Sequence, residues 1–478
     1  MRKRRRISAS VAALFLRCTT AILIGWAGAS PAQTPTTVPS SSQATQPATE
    51  ANQLSHLTLQ RATDLLIANN LAVIAARFNV DILRAQRIAA GLKPRPTLTF
   101  SATQFALPEV FRNPRNLIHS NTLSAANTTY LVEVDQLFER GNKRDLRILQ
   151  AEVNTQAAEA QVKDALRQQL FQLRQVFLTA VLARDNLRVA GENLNHFNQT
   201  ERILFAQVKE GYTAGVDLKR VQLQQLQFQS DVTSAEQSYE QSLRDVLNLI
   251  GKGDAPSLAN TTQLTGAVAT PSTLPGLDGS LEAVDGSLEV IPTLLWIDDL
   301  RRMALANRPD IRAAELTFEA AQKGVELAEA QRVRDVTVGT QYSRTGGDNT
   351  LGVVLSAPLS TRRFANSATA QATAAKLQAG AQLRLTRTQA LTDVEKAFIA
   401  YSVSRERLRL FTAGALSTAA DVQRIEEIAY RDGAKGLLDY LDAQRTYNQT
   451  QLAYNQARFD FLLSLYQLEF ATSTTIVK

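Results

Sequence analysis

The sequence predicts a mainly α-helical fold with a small transmembrane β-barrel portion, built as two internal repeats. Three observations carry this. Helical periodicity runs through proline-free stretches far longer than a compact domain needs. Four short runs alternate apolar and polar residues, and internal matches recur at constant offsets.

The elements follow in chain order. Arg2 to Arg6 form a basic stretch ahead of an apolar segment ending Ala27-Gly28-Ala29. That is a secretory signal pattern, with cleavage after Ala29 or Ala32. Arg17 splits the apolar segment and argues against a spanning helix. Cys18, the one cysteine, leaves with the signal, and Arg17 before it is wrong for lipidation. The mature chain therefore has no disulfide or thiol chemistry. Six of the positive charges behind the formal net charge of +7 also lie in residues 1–29. The mature chain is close to neutral, and no nucleic-acid-binding surface is implied.

Residues 30–53 are Ser, Thr, Pro, Gln and Ala and form a flexible leader. The first repeat covers 54–250 and the second 294–471, separated by a Gly/Pro/Ser/Thr-rich linker at 251–293 and followed by a tail at 472–478. Ala68-Asn69-Asn70 recurs as Ala306-Asn307-Arg308, and Thr99 meets Thr337, at an offset of 238. Leu137 meets Leu359, Gly211 meets Gly433 and Asp217 meets Asp439 at an offset of 222. The change of 16 falls within Leu107 to Thr128, between the first two strands, and predicts an exposed outer loop there.

Each repeat opens with a helical segment, Leu59–Leu92 or Leu295–Val333. Two strands follow: Thr97–Phe105 and Tyr130–Phe138 in the first repeat, Val336–Ser343 and Leu351–Leu359 in the second. A very long helix comes next, at about 142–210 or 364–432, then a glycine-marked turn and a helix of about 35 residues. No proline occurs between Pro114 and Pro256 or after Pro358, which such helices require. Leu166, Leu173, Ala180, Leu187 and Leu194 repeat every seven residues, with Leu170 and Phe177 between. Leu391, Val394, Phe398, Tyr401 and Leu408 keep a 3/4 spacing, so both long helices pack as coiled coils.

The strands have the length and alternation of tilted membrane strands. Four strands cannot close a barrel, and open edges are not tolerated in lipid, so several chains must share one. No later run reaches 18 uninterrupted apolar residues, so the expectation is that no helix crosses a bilayer. Glu133 and Asp135 alternate with Val132 and Val134 and are expected to line the barrel lumen.

Catalytic motifs are missing. His56, His119 and His196 are scattered, no Walker A, G-x-S-x-G or G-x-G-x-x-G run occurs, and neither a metal site nor a cofactor is expected. A periplasmic coiled-coil scaffold without a transport role would explain the helices but not the four strands.

The repeat order resembles the TolC family of outer-membrane efflux factors over nearly the whole mature length. The strongest local likeness is the run from Tyr430 to Arg445, similar to the family's helix-turn-helix at the periplasmic tip. The strand exits Asp135 to Gly141 and Ala357-Pro358-Leu359 are also similar. Lys143 to Arg147 and Asp442 to Arg445 resemble the CzcC-like branch serving metal-cation export. The resemblance implies a homotrimer in the outer membrane, a shared twelve-strand barrel and a periplasmic helical tunnel. It also implies a periplasmic adaptor and an inner-membrane pump as partners, contact with outer-membrane lipid, and a passive conduit with no reaction of its own.

At the tip, Gly211 and Gly433 supply the left-handed geometry that reverses a helix, and Gly215 and Gly436 follow four and three residues later. Asp217 and Asp439 lie six residues after those first glycines, in the first turn of the returning helix, where acids oppose the helix dipole. Asp442 shares a face with Asp439 at i+3. In a trimer the two would form stacked carboxylate rings that favour cations. By resemblance Asp439 and Asp442 match the constriction acids. Tyr430 and Lys435 match positions whose polar links hold the tip shut, with Asp217 the partner of Tyr430. Lysine at 435, where the family often has arginine, lacks the bidentate fork.

Overall fold

A computed structural model of the chain describes residues 56–103, 129–252, 276–277, 296–345, 347–359 and 362–475. The signal segment, the leader, most of the linker, the expected outer loop and the last three residues lie outside them.

A two-residue strand β1 (His56–Leu57) pairs in parallel with β4 (Gly276–Leu277), tying the start of the first repeat to the linker. The first repeat then runs α1 (Leu59–Asn69), α2 (Leu71–Ala90), β2 (Thr97–Thr103), β3 (Thr129–Phe138), α3 (Lys143–Lys209) and α4 (Gly215–Leu249). The second runs α5 (Ile297–Asn307), α6 (Pro309–Ala330), β5 (Val336–Thr345), β6 (Asp348–Ser356), α7 (Arg362–Leu410), a π-helical turn Phe411–Ala415, α8 (Leu416–Arg431) and α9 (Leu437–Thr472). The duplicated order is the one expected from the offsets.

The opening helix of each repeat is two helices, not one. The break falls at Asn70 and Arg308, which are matched residues of the repeat. Asn70 leaves the helical region, its Oδ1 accepts from Val73 N at 3.1 Å, and its Nδ2 donates to Gln169 Oε1 and Leu249 O. It thus caps the next helix and pins the break to α3 and α4. Arg308 has the same extended backbone, and Pro309 starts α6 at the position where a missing N–H costs nothing.

By length and composition the stretch Leu59–Ala90 could cross a membrane, against the sequence expectation. It is broken at Asn70, and its buried residues Ala62, Leu66, Val73 and Val80 serve the helical bundle.

Helix α3 is unbroken over 67 residues, about 100 Å at 1.5 Å per residue. Its heptad residues are buried as expected: Leu173, Phe177, Ala180, Leu187 and Leu194. Val394, Tyr401 and Leu408 do the same for α7. The second long helix, expected over 364–432, is interrupted. Gly414 sits at φ 129°, ψ −4°, inside the π turn, a conformation that side-chain-bearing residues avoid.

Packing places α3 centrally. It contacts α2 and α6 in one half and α4 and α9 in the other, while α7 packs on α6 and α9. The four strands form one antiparallel sheet in the order β2-β3-β5-β6. The last strand lies at Asp348–Ser356 instead of Leu351–Leu359; it ends just ahead of Ala357-Pro358, and Pro358 has no N–H for a ladder.

Candidate functional site

Two regions carry the predicted site residues: the sheet and the helical tip. In the sheet, register decides which side chains share a face. Phe100, Val132, Tyr342 and Leu351 stand in one cross-strand row, and Leu98, Val134, Thr340 and Val353 in the next row on that face. The opposite face carries Thr99, Glu133, Gln341 and Gly352 in one row and Thr97, Asp135 and Gly339 in another. Glu133 and Asp135 are thus on the polar face, as the alternation predicts. A Cβ at Gly339 would meet the Asp135 carboxylate, which would have to turn aside.

Below the sheet a polar knot joins strands to helices. Asp335 Oδ1 accepts from Lys143 Nζ at 2.8 Å and from Arg140 N at 2.9 Å. Burial pushes the Asp335 carboxyl up, but these donors outweigh it and the net shift is down. Arg147 grips Glu139 with two bonds at 2.6 and 2.8 Å, and that grip lowers the Glu139 carboxyl. Gly141 at φ 78° packs so close to Val333 that a Cβ would lie 2.9 Å from the valine Cβ. The runs Asp135–Gly141 and Lys143–Arg147 therefore build the turn from membrane strand to helix. Asp335 was not visible as their partner, because it lies in the other repeat.

At the tip, Gly211 and Gly433 take φ 80° and 73° as predicted. Tyr212 N bonds Gln207 O and Ala434 N bonds Ala429 O, the wider closing bonds of a Schellman end. Gly215 and Gly436 are not left-handed: Gly215 begins α4, and Gly436 caps α9 at φ −78°.

Asp439 does the local work of a helix start, its Oδ2 accepting from Gly436 N at 3.3 Å. Asp442 is exposed and has no partner among the described residues. Asp217 pairs with Arg220 at 3.3 Å. No hydrogen bond joins it to Tyr430, contrary to the link expected from resemblance. Tyr430 stacks on Tyr440 instead, centroids 5.5 Å apart and planes 8° apart. Burial raises the Tyr430 phenol, and the nearby charge of Asp217 adds to it. Lys435 reaches Glu426 of its own hairpin at 3.6 Å, and Glu426 Oε2 is buried without a hydrogen-bond partner.

A cavity of about 400 Å³ lies between the two hairpins, lined by Thr200, Gln207, Asp217, Glu427, Tyr430 and Tyr440 among others. The tip brings Asp217, Tyr430 and Lys435 to one cavity and leaves both Asp439 and Asp442 outside its lining. Tyr440, Thr200 and Glu426 were missed, since none stands out by spacing; only the i+10 Tyr430/Tyr440 pair across a glycine turn could have hinted at the stack.

Residues 300–474 match the family model described as outer membrane efflux protein. That match covers the second repeat, and the element order of the described chain is TolC-like. It is similar to nodulation protein T of Rhizobium leguminosarum bv. trifolii, 23% identical over 82% of this chain and 80% of that protein. It is 22% identical to the cobalt-zinc-cadmium resistance protein CzcC of Cupriavidus metallidurans, over 83% of this chain and 85% of that one. In fold it is similar to the outer membrane protein VceC of Vibrio cholerae, with TM-score 0.66 and 17% identity over 88% of this chain and 97% of that chain. The chain is an outer-membrane channel component with a large helical periplasmic portion.

Proposed function

We propose that three copies of this efflux protein close a passive duct from periplasm to exterior, and that its helical tip engages a periplasmic adaptor and an inner-membrane pump. The open edges of the chain carry the proposal. Strands β2 and β6 are the two edges of the sheet, with no partner among the described residues. The outer helices carry apolar side chains with nothing against them: Leu71, Phe78 and Ile82 on α2, and Leu377, Leu385 and Ile399 on α7. A lone sheet edge in lipid leaves its backbone groups unsatisfied, and copies related by rotation supply the missing neighbours for sheet and helices together. Native mass measurement in mild detergent should give a trimer; a monomer would overturn the proposal.

Glu133 and Asp135 line the lumen of the shared barrel, because the other face is the apolar one. Asp439 and Asp442 narrow the tip and favour cations, with Asp217, Tyr430 and Lys435 around the neighbouring cavity. The turns at Gly211, Gly215, Gly433 and Gly436 present the tip to the adaptor. Energy for export comes from the pump, and the duct performs no reaction.

A further inference from the structure

Five basic side chains stand where the four strands meet the helices: Lys93 and Arg95 ahead of β2, Arg140 after β3, Arg334 ahead of β5 and Arg363 after β6. All five are exposed, and none has an ion-pair partner among the described residues. Their neighbours behave otherwise. Lys143 and Arg147 are spent on Asp335 and Glu139 within the knot.

Position sharpens the contrast. Phe138 and Val336 form the last rung of the β3–β5 ladder. Arg140 follows Phe138 by two residues and Arg334 precedes Val336 by two, so both stand just beyond that rung, whose side chains share one face of the sheet. This is the apolar face, which presents Leu98, Phe100, Val353 and Leu355 to the outside at 68–76% exposure. Asp335, next to Arg334, takes the Arg140 backbone N–H and Lys143. An apolar band is therefore followed by Arg140 and Arg334, neither of which has an ion-pair partner among the described residues.

We propose that this collar binds the phosphate groups of anionic phospholipid headgroups in the leaflet on the tunnel side, with Arg140 and Arg334 as its central pair. The inference rests on the reading that the strands cross the outer membrane. An arginine at the end of an apolar band lays its stem along the band and sends its fork to the phosphate plane. A soluble anion would use the charge but leave the band wet, whereas a lipid covers both. The attraction is of the kind that anionic headgroups exert on basic segments at a membrane edge, and salt weakens it.

The test uses the full mature chain, assembled and reconstituted into vesicles of phosphatidylcholine alone or with phosphatidylglycerol. Flotation reads insertion, and the temperature at which the oligomer dissociates reads lipid binding. The wild type should dissociate at higher temperature with phosphatidylglycerol, by a margin that shrinks in high salt. R140Q/R334Q should lose most of that margin, while K219Q/R445Q, which removes two exposed charges at the tip, should keep it. Equal margins in the wild type and R140Q/R334Q, or equal loss in both variants, would overturn the collar. If R140Q/R334Q does not assemble, R140K/R334K decides: a reduced margin supports the guanidinium contacts and an unchanged one overturns them. A wild-type chain that fails to float with either vesicle would bring down the membrane reading itself, and the collar with it.

Discussion

The two repeats have one order of elements and two different ways of bending. In the first, the break at Asn70 is held by a neutral amide bonded to a glutamine and a backbone carbonyl. In the second, the break at Arg308 is held by a buried guanidinium. It bonds Asp310 through Nε at 3.0 Å and NH2 at 2.7 Å, Asp393 at 3.0 Å and Ala471 O at 3.4 Å. The long helices differ in the opposite sense: α3 is continuous to the tip, whereas its counterpart is relieved by the π turn at Gly414. Beyond that turn α8 buries no residue, while the lower half of α3 still buries Leu194, Phe197 and Leu204. The repeat that is locked by charge at its kink is thus the one whose long helix is interrupted on the way to the tip.

The comparison breaks most sharply at Arg308. Arg308→Ala strands Asp310 in a part-buried site and should cost about 3–5 kcal/mol in denaturant unfolding. Asn70→Ala removes neutral bonds and should cost about 1–2 kcal/mol. Equal costs would mean that the kinks are held by packing instead.

The same pair separates in pH. Burial pushes the Asp310 carboxyl up, but the Arg308 bonds and charge more than offset this, so it titrates below its ordinary value. Its contribution is complete above the unfolded carboxylate range and is lost as pH falls through the lowered folded value. Acid should therefore narrow the gap between wild type and Arg308→Ala but leave the Asn70→Ala gap nearly constant, as read from unfolding midpoints across pH.

Next in size come two glycines. Gly414→Ala forces a side chain into φ 129° and should destabilise by about 1–2 kcal/mol. Gly191, in α3, has nothing within 4 Å of a Cβ, so Gly191→Ala should stabilise by about 0.5–1 kcal/mol. Opposite signs in thermal unfolding would establish that only the second repeat needs its bend.

At the tip the effects on stability are smallest and those on conduction decide. Asp439→Ala with Asp442→Ala should remove most cation preference in single-channel recording and should leave assembly intact. Retained selectivity in the double variant would reduce Asp439 to its cap on Gly436. Tyr430→Phe keeps the stack on Tyr440 and has no Asp217 bond to lose, so it should change conductance less than Tyr430→Ala.

Much of this fold was legible in the residues. The heptads marked the buried stripe of α3, alternation separated Glu133 and Asp135 from Val132 and Val134, and the glycines marked the tip turns, because each depends on local periodicity or backbone chemistry. The repeat alignment even matched Asn70 to Arg308, but not as a break. An extended residue between two good helices leaves no compositional trace when its bonds go to residues about 80–180 positions away. The partners of Lys143, Arg147 and Tyr430 were hidden or mistaken for a related reason: which acid or ring a side chain reaches depends on packing between elements, and Tyr430 chose a ring.

The two unpaired sheet edges have a genetic consequence. In the proposed three-copy barrel, a chain whose β2 or β6 cannot pair would spoil every ring it enters, because each copy would have to satisfy a neighbour on both sides. In a three-copy ring drawn at random from equal amounts of sound and edge-defective chains, roughly one ring in eight would contain only sound copies. Edge mutations should therefore act dominantly over a wild-type copy in the same cell, whereas a lesion in the tip cavity that leaves the edges intact would be diluted.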